Sequence, residues 1–151
     1  MAQILGSKFQ VIGVDFSEAQ IELAKKNVPN AEFICQDMTT LDFPENTFDA
    51  ICSYYAIIHI PREEHPLLFV DFYRMLKPSG YALLCLGAES LVDDIDENFF
   101  GARMYWSHFD TKTYLEMLKD TGFSICWSKQ VADATCEGAG HLFVLIQKPQ
   151  K

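Results

Sequence analysis

Apolar and polar positions alternate between short apolar runs and longer stretches with helical spacing. The short runs are rich in β-branched and aromatic residues, which favours strands. The longer stretches start at helix-capping residues and stop near glycine or proline, which predicts helices. The predicted strands are 9–14, 31–35, 48–54, 81–86, 123–131 and 141–146, and the predicted helices are 17–27, 61–75 and 110–121. This order predicts βα units and a mainly parallel sheet.

Local signals set several element boundaries. Ser17 and Gln20 have the spacing of a capping box, and Asp110 suits the N-cap of the last helix. Residues 1–5 resemble the last turn of a helix that Gly6 ends. Residues 87–109 follow neither period, so a long irregular segment is predicted there.

The last two predicted strands are joined by residues 132–140, which contain glycine and no helical pattern. Strands joined in this way pair antiparallel, because a parallel crossover needs a longer connection. The predicted fold is therefore a three-layer, doubly wound α/β domain covering residues 1–151. Its sheet is mainly parallel and finishes in an antiparallel C-terminal hairpin.

Composition narrows the functional classes. Of the 151 residues, 49% are hydrophobic and 22% are charged, which is typical of a folded domain. No apolar run reaches the ~20 residues of a membrane-spanning helix. The net charge of -9 argues against a nucleic-acid partner, because phosphate binding needs a basic surface.

Cysteine usage indicates a reducing compartment. The five cysteines form no CxxC pair, and no His/Cys cluster has the spacing of metal ligands: they are Cys35, Cys52, Cys85, Cys126 and Cys136. Most lie in apolar runs, so we expect buried, reduced thiols, no metal and a cytoplasmic location.

Two acids follow predicted strands. Asp15 ends the first strand before a capped helix, where an acid can accept both hydrogens of a ribose diol. An acid facing a helix dipole fits that position equally well. Asp37, with Met38, follows the second strand, where it can accept from an adenine amino group. Taken alone, Asp37 is better explained as an Asx-turn residue.

Several blocks together resemble class I S-adenosylmethionine-dependent methyltransferases, most closely the small-molecule type related to ubiquinone biosynthesis. The blocks span nearly the whole chain: VIGVDFS at 11–17, CQDM at 35–38, FDAI at 48–51, IIHIP at 57–61 and RMLKPSG at 74–80. The last is the most specific, and there Ser79 replaces the first of two glycines.

The resemblance implies a strand order of 3-2-1-4-5-7-6 with the seventh strand antiparallel, and S-adenosylmethionine as cofactor. It also implies that Asp15 binds the ribose, Phe16 and Met38 contact the adenine with Asp37, and Tyr54 lies near the methionine part. The family's first strand and its glycine-rich loop have no counterpart in this sequence. A truncated sequence, direct or intermolecular pairing of the two interior strand edges, and a degenerate relative without cofactor all remain open.

A polar and aromatic block at 104–110 falls where relatives place residues that face the substrate. Tyr105 and Trp106 are candidate substrate contacts, and His108 and His59 are candidate bases. Packing of the loop against the sheet explains the aromatic residues slightly better. A satisfied histidine at a strand–helix junction is the preferred explanation of His59.

We therefore expect methyl transfer to a small molecule, with neither a membrane nor a nucleic acid as partner. The alternatives are a methyltransferase-like module that associates through exposed strand edges as a homodimer, and an NAD-dependent oxidoreductase. The oxidoreductase is disfavoured by the turn at 77–80 and by the terminal hairpin.

Overall fold

The computed structural model describes residues 8–132 and 140–150. The chain divides into two compact units, Met1–Asp42 and Phe43–Lys151, which are described separately. The predicted helix end at residues 1–5, nearly all of the 132–140 connection and Cys136 lie outside the described residues.

The smaller unit is a βαβ element followed by a single 3-10 turn. It contains β1 (Ile12–Asp15), α1 (Glu18–Asn27), β2 (Glu32–Cys35) and the turn Met38–Thr40. The Ser17 hydroxyl accepts from the amide of Gln20, so the predicted cap begins α1. β1 and β2 pair in parallel, and Ile21 of α1 is buried.

The larger unit is built on a four-stranded sheet in the order β3-β4-β8-β7. Its elements are β3 (Phe48–Ser53), the 3-10 turns Ile57–His59 and Arg62–Glu64, α2 (His65–Met75), β4 (Leu76–Gly87), β5 (Leu91–Phe99), β6 (Ala102–His108), α3 (Thr111–Asp120), β7 (Ser124–Val131) and β8 (His141–Gln147). β3 is parallel to β4, and β8 pairs antiparallel with both β4 and β7. The predicted α/β class and antiparallel terminal hairpin are confirmed.

The core of the larger unit lies between the sheet and the inward faces of α2 and α3. It includes Leu68, Phe69, Phe72, Leu84, Leu118, Val144 and Ile146, all buried. Asp110 caps α3 by accepting from the amide of Thr113, and this bond lowers the pKa of the Asp110 carboxyl.

Two sequence predictions are wrong in this unit. Residues 91–108 form the antiparallel hairpin β5–β6 instead of an irregular segment. Its turn uses left-handed backbone at Phe100 (φ 49°) and Gly101 (φ 87°), which suits the twist of a two-residue hairpin loop. β4 also begins at Leu76, five residues before the predicted start at Tyr81, so the turn-like 77–80 block lies within the strand.

The cysteines also differ from expectation. All four described cysteines are free thiols, but only Cys85 is buried, and Cys35, Cys52 and Cys126 are exposed. The expectation of burial rested only on the position of these cysteines in apolar runs. The exposed cysteines instead belong to β2, β3 and β7, which lie at sheet edges where side chains have fewer neighbours.

Ser79 adopts a left-handed backbone conformation, with φ at 65°. A side chain at this φ costs about 1–2 kcal/mol relative to the ordinary region. This explains why the resembling sequences carry glycine at the position. The neighbouring backbone is fixed, because the amide of Ser79 donates to the carbonyl of Lys148 at 2.9 Å.

Ser79→Gly should therefore raise the free energy of unfolding, by about 0.5–1 kcal/mol after the greater chain entropy of glycine is subtracted. Urea unfolding measures the change. Ser128→Gly, in exposed strand β7, is the matched control and should lower stability by a similar amount. A loss of stability in Ser79→Gly equal to that of the control would contradict this explanation.

Candidate functional site

In the smaller unit, the two candidate acids lie at the carboxyl ends of neighbouring parallel strands. Asp15 is paired with Cys35, and the carbonyl of Asp15 accepts from the amide of Gln36 at 3.0 Å. This register brings the loops after β1 and β2 side by side. It is the sheet edge at which open α/β folds bind nucleotides.

Each acid also has a local structural role. Asp15 Oδ1 accepts from the Ser17 amide at 2.9 Å, and Asp37 Oδ1 accepts from the amide and the hydroxyl of Thr39, both at 2.9 Å. Within the described residues, the Oδ2 atoms of Asp15 and Asp37 accept no hydrogen bond. Each carboxylate is therefore held in a fixed orientation with one oxygen available to a ligand.

The two other residues expected to contact the adenine ring, Phe16 and Met38, differ in exposure. The ring of Phe16 is 79% exposed, whereas Met38 is half-buried at the start of its 3-10 turn. An exposed aromatic ring beside an oriented carboxylate fits the sugar and base of an adenosine. The residues present thus fit that part of S-adenosylmethionine.

In the larger unit, Tyr54 follows the carboxyl end of β3. It is 49% exposed, and its ring lies 4.9 Å from that of Tyr55 and 5.4 Å from that of Phe143. Tyr55 has a left-handed backbone with φ at 54°. The chain therefore turns sharply here, and a small aromatic cluster stands at the end of the strand.

His59 is half-buried and held by strand β6. Its Nδ1 lies 2.7 Å from the carbonyl oxygen of Tyr105. A carbonyl can only accept, so Nδ1 must carry the hydrogen, and the neutral ring keeps its lone pair on Nε2. In this tautomer Nε2 is the basic nitrogen, and it is the nitrogen that the bond to Tyr105 leaves available to act as a general base.

His108 is held in the same way. Its Nδ1 lies 2.6 Å from the carbonyl oxygen of Glu89, which again leaves the lone pair on Nε2. The ring lies directly against the backbone of Gly87, where an added Cβ would come within 2.1 Å of Nδ1. Gly87 is therefore required for the position of His108.

Tyr105 and Trp106 point to opposite faces of the β5–β6 hairpin. The Tyr105 hydroxyl donates to Asp93 Oδ1 at 2.5 Å, and burial, followed by this bond, raises the pKa of Tyr105. The Trp106 ring lies 4.8 Å from that of Phe99 and 5.8 Å from that of His59. The structure thus brings His59 and Trp106 together.

Sequence reasoning did not identify Ser107 and Arg62, whose hydrogen bonds stabilise the segment that carries Tyr105 and Trp106. The hydroxyl of buried Ser107 donates to Asp93 Oδ1 at 3.2 Å and accepts from the amide of Arg62 at 3.3 Å. Nη1 of Arg62 donates to the hydroxyl of Ser90, and its guanidinium lies 4.9 Å from the centre of the Phe109 ring. The alternation along β6 and the Phe-Gly dipeptide were signals of this hairpin.

Among the described residues, no group of three or more His, Cys, Asp or Glu side chains is placed to hold a metal ion. None of the described helices is both long and apolar enough to cross a membrane.

The family model for a methyltransferase domain matches residues 1–80. Phosphoethanolamine N-methyltransferase 1 of Arabidopsis thaliana is 34% identical over 129 residues, covering 80% of this chain and 26% of that protein. A demethylmenaquinone methyltransferase of Staphylococcus epidermidis is 30% identical over 89 residues, covering 57% of this chain and 36% of that protein.

A solved methyltransferase structure has the same fold as this chain. The SAM-dependent methyltransferase of Methanosarcina mazei superimposes with a TM-score of 0.80 at 19% identity, covering 98% of this chain and 86% of that chain. The fold thus defines a Rossmann-like α/β domain. The chain belongs to the methyltransferase-domain family, within the class I S-adenosylmethionine-dependent methyltransferases. The family's cofactor is S-adenosylmethionine, as the residue blocks implied. The chain spans about a quarter of the length of its plant relatives.

Gly87→Ala should displace the His108 ring and lower the free energy of unfolding by about 1–3 kcal/mol, the usual cost of overpacking. Adding His108→Ala should recover most of that loss, because the clash is with the ring itself. Urea unfolding of the single and double variants measures the coupling. The control is Gly101→Ala, where an added Cβ meets nothing within 4 Å but φ is 87°, so its loss comes from backbone strain and should not be recovered by His108→Ala. Additive losses at positions 87 and 108 would contradict the predicted contact.

Proposed function

We propose that this chain transfers the methyl group of S-adenosylmethionine to a small molecule. The observation that carries the proposal is the pair of oriented carboxylates, Asp15 and Asp37, at the ends of two paired parallel strands in a methyltransferase-family chain. The sulfonium of the cofactor supplies an already activated methyl group. The protein's tasks are therefore to bind, orient and remove a proton.

Each cofactor contact is assigned to a residue. Asp15 accepts from the two ribose hydroxyls, and Asp37 accepts from the adenine amino group. Phe16 and Met38 contact the faces and edge of the adenine ring, and Tyr54 contacts the methionine part. The available Oδ2 atoms and the exposed Phe16 ring support these roles.

For the acceptor, we propose a small amine, with His59 as base. The names of the first plant relatives, which act on a phosphoethanolamine nitrogen, support this class. His59 Nε2 takes a proton from the ammonium group, and the freed nitrogen lone pair forms the new bond to the methyl carbon. The C–S bond breaks and its electron pair stays on sulfur.

Tyr105 and Trp106 are proposed substrate contacts, and His108 is the rival base. The Trp106 ring, which lies 5.8 Å from that of His59 at an interplanar angle of 50°, supports a substrate position beside that histidine. We also propose a cytoplasmic location, which the free thiols support.

Asp15→Asn tests the cofactor site. Asparagine retains an acceptor for the Ser17 amide but loses the charge and the second acceptor for the ribose. We expect S-adenosylhomocysteine to bind about 10–100-fold more weakly, since hydrogen bonds to charged groups contribute about 1.5–3 kcal/mol. Isothermal titration calorimetry measures the affinity, with exposed Asp120→Asn as control. Tight binding of NAD in place of S-adenosylhomocysteine would overturn the proposal in favour of an oxidoreductase.

His59→Gln tests the base, with His108→Gln as the comparison between the two candidates. Transfer of labelled methyl from S-adenosylmethionine to phosphoethanolamine should fall about 10²–10⁴-fold in His59→Gln, the usual contribution of general base catalysis. Cofactor affinity should remain unchanged. If only His108→Gln lost activity, the two roles would be exchanged.

A second candidate is an association module derived from a methyltransferase. It is favoured by β1 and β3, each of which has one edge without a strand partner among the described residues. Light scattering together with the calorimetric titration of S-adenosylhomocysteine distinguishes the two candidates: the module requires a homodimer or larger assembly and no cofactor binding.

A further inference from the structure

A fully buried histidine lies beneath the turn that carries His59. His65, the first residue of α2, and Tyr114, on α3, are both 0% exposed. Their rings stack at 5.9 Å with an interplanar angle of 17°. His65 Nδ1 lies 2.9 Å from the Tyr114 hydroxyl, and Nε2 lies 3.1 Å from the carbonyl oxygen of Ile60.

The partners of His65 determine its tautomer. The Ile60 carbonyl can only accept, so Nε2 carries the hydrogen and donates it. Nδ1 then holds the lone pair and accepts from the Tyr114 hydroxyl. Every polar atom of the pair is satisfied, which is the condition for burying such a network.

The charge state agrees with this pattern. Burial lowers the pKa of His65 to about 4, so the ring is neutral near neutral pH. The backbone carbonyls of Ile60 and Ile57 oppose that shift, as does the Glu63 charge to a smaller extent, whereas His108 reinforces it. Burial raises the pKa of Tyr114, against a smaller lowering by the Phe109 backbone and the Arg62 charge, so its hydroxyl remains a donor.

The Ile60 carbonyl joins this pair to His59. The 3-10 turn Ile57–His59 ends at Ile60, whose amide donates to the Ile57 carbonyl at 3.1 Å. On the other side, the ring of His59 is held by the Tyr105 carbonyl. The turn is therefore fixed at two points. The His59 side chain bonds to a carbonyl of β6, and the carbonyl of Ile60 bonds to the His65 side chain of α2.

We propose that His65 is a positioning residue for His59: by holding the Ile60 carbonyl, it fixes the turn that directs His59 Nδ1 to the Tyr105 carbonyl and leaves Nε2 as the base. The catalytic part of this inference rests on the proposed function. The structural part does not, because the tautomer of His59 is measurable without any substrate.

Three variants separate positioning from general stability. His65→Gln keeps an amide donor for the Ile60 carbonyl. His65→Phe keeps a ring but leaves Ile60 and Tyr114 without their partner. The double variant His65→Phe/Tyr114→Phe also removes the Tyr114 hydroxyl that His65→Phe leaves unpaired. It should therefore be more stable than His65→Phe, while the Ile60 carbonyl still lacks its partner. Val144→Ala in β8 is the control, a buried cavity variant at a residue paired with Leu84.

The first readout is the ring-nitrogen chemical shifts of His59, recorded by NMR on the chain without cofactor. The wild type, His65→Gln and Val144→Ala should show the Nδ1–H tautomer. His65→Phe and the double variant should show a mixture of tautomers or the Nε2–H form. A His59 that keeps the Nδ1–H tautomer in both phenylalanine variants would overturn the proposal.

The second readout is methyl transfer to phosphoethanolamine. We expect kcat to fall roughly ten- to a hundredfold in the phenylalanine variants while KM changes little, because the base is misplaced and binding groups are not. His65→Gln should restore most of kcat. If the wild type transfers no methyl group, the proposed function fails while the NMR result still decides the positioning role.

Discussion

Strand β4 is the element on which the larger unit depends. It pairs in parallel with β3 on one edge and antiparallel with β8 on the other, and its residues Ala82, Leu84, Cys85 and Leu86 are 0% exposed. Residues 81–84 of β4 are paired on both edges, so this part of the strand fixes the register of its neighbours. β8 in turn places β7, and the carboxyl end of β3 begins the segment that carries Tyr54 and His59.

The candidate site is assembled from backbone carbonyls as much as from side chains. His59 and His108 are both oriented through Nδ1 by carbonyl oxygens, of Tyr105 and Glu89. Hydrogen bonds of this kind select one tautomer without adding charge beside the base. The candidate cofactor-binding acids are also oriented by the backbone, because one oxygen of Asp15 and one of Asp37 each accept from a backbone amide of the following loop. Local structural roles and ligand binding are therefore compatible in these residues.

Family membership and activity rest on different observations. The methyltransferase family follows from the match over residues 1–80 and from strand orders that agree with the implied arrangement. Solved structures at 19% identity establish the fold alone. Activity depends on side chains that the fold only positions, because one α/β scaffold supports many reactions.

The sequence determined the elements whose signals are local. The cap at Ser17, the cap at Asp110 and the terminal hairpin all appear as predicted, because each depends on residues a few positions apart. Only the tertiary structure showed that β5 pairs with β6, since the exposed, acidic β5 lacks a hydrophobic period and the alternation along β6 does not by itself indicate a partner strand. Tertiary structure likewise decided the exposure of three cysteines, which depends on strand position in the sheet. It also decided the partners of His59 and His65. Those hydrogen bonds join residues 46 and 49 positions apart, and no local pattern encodes such a separation.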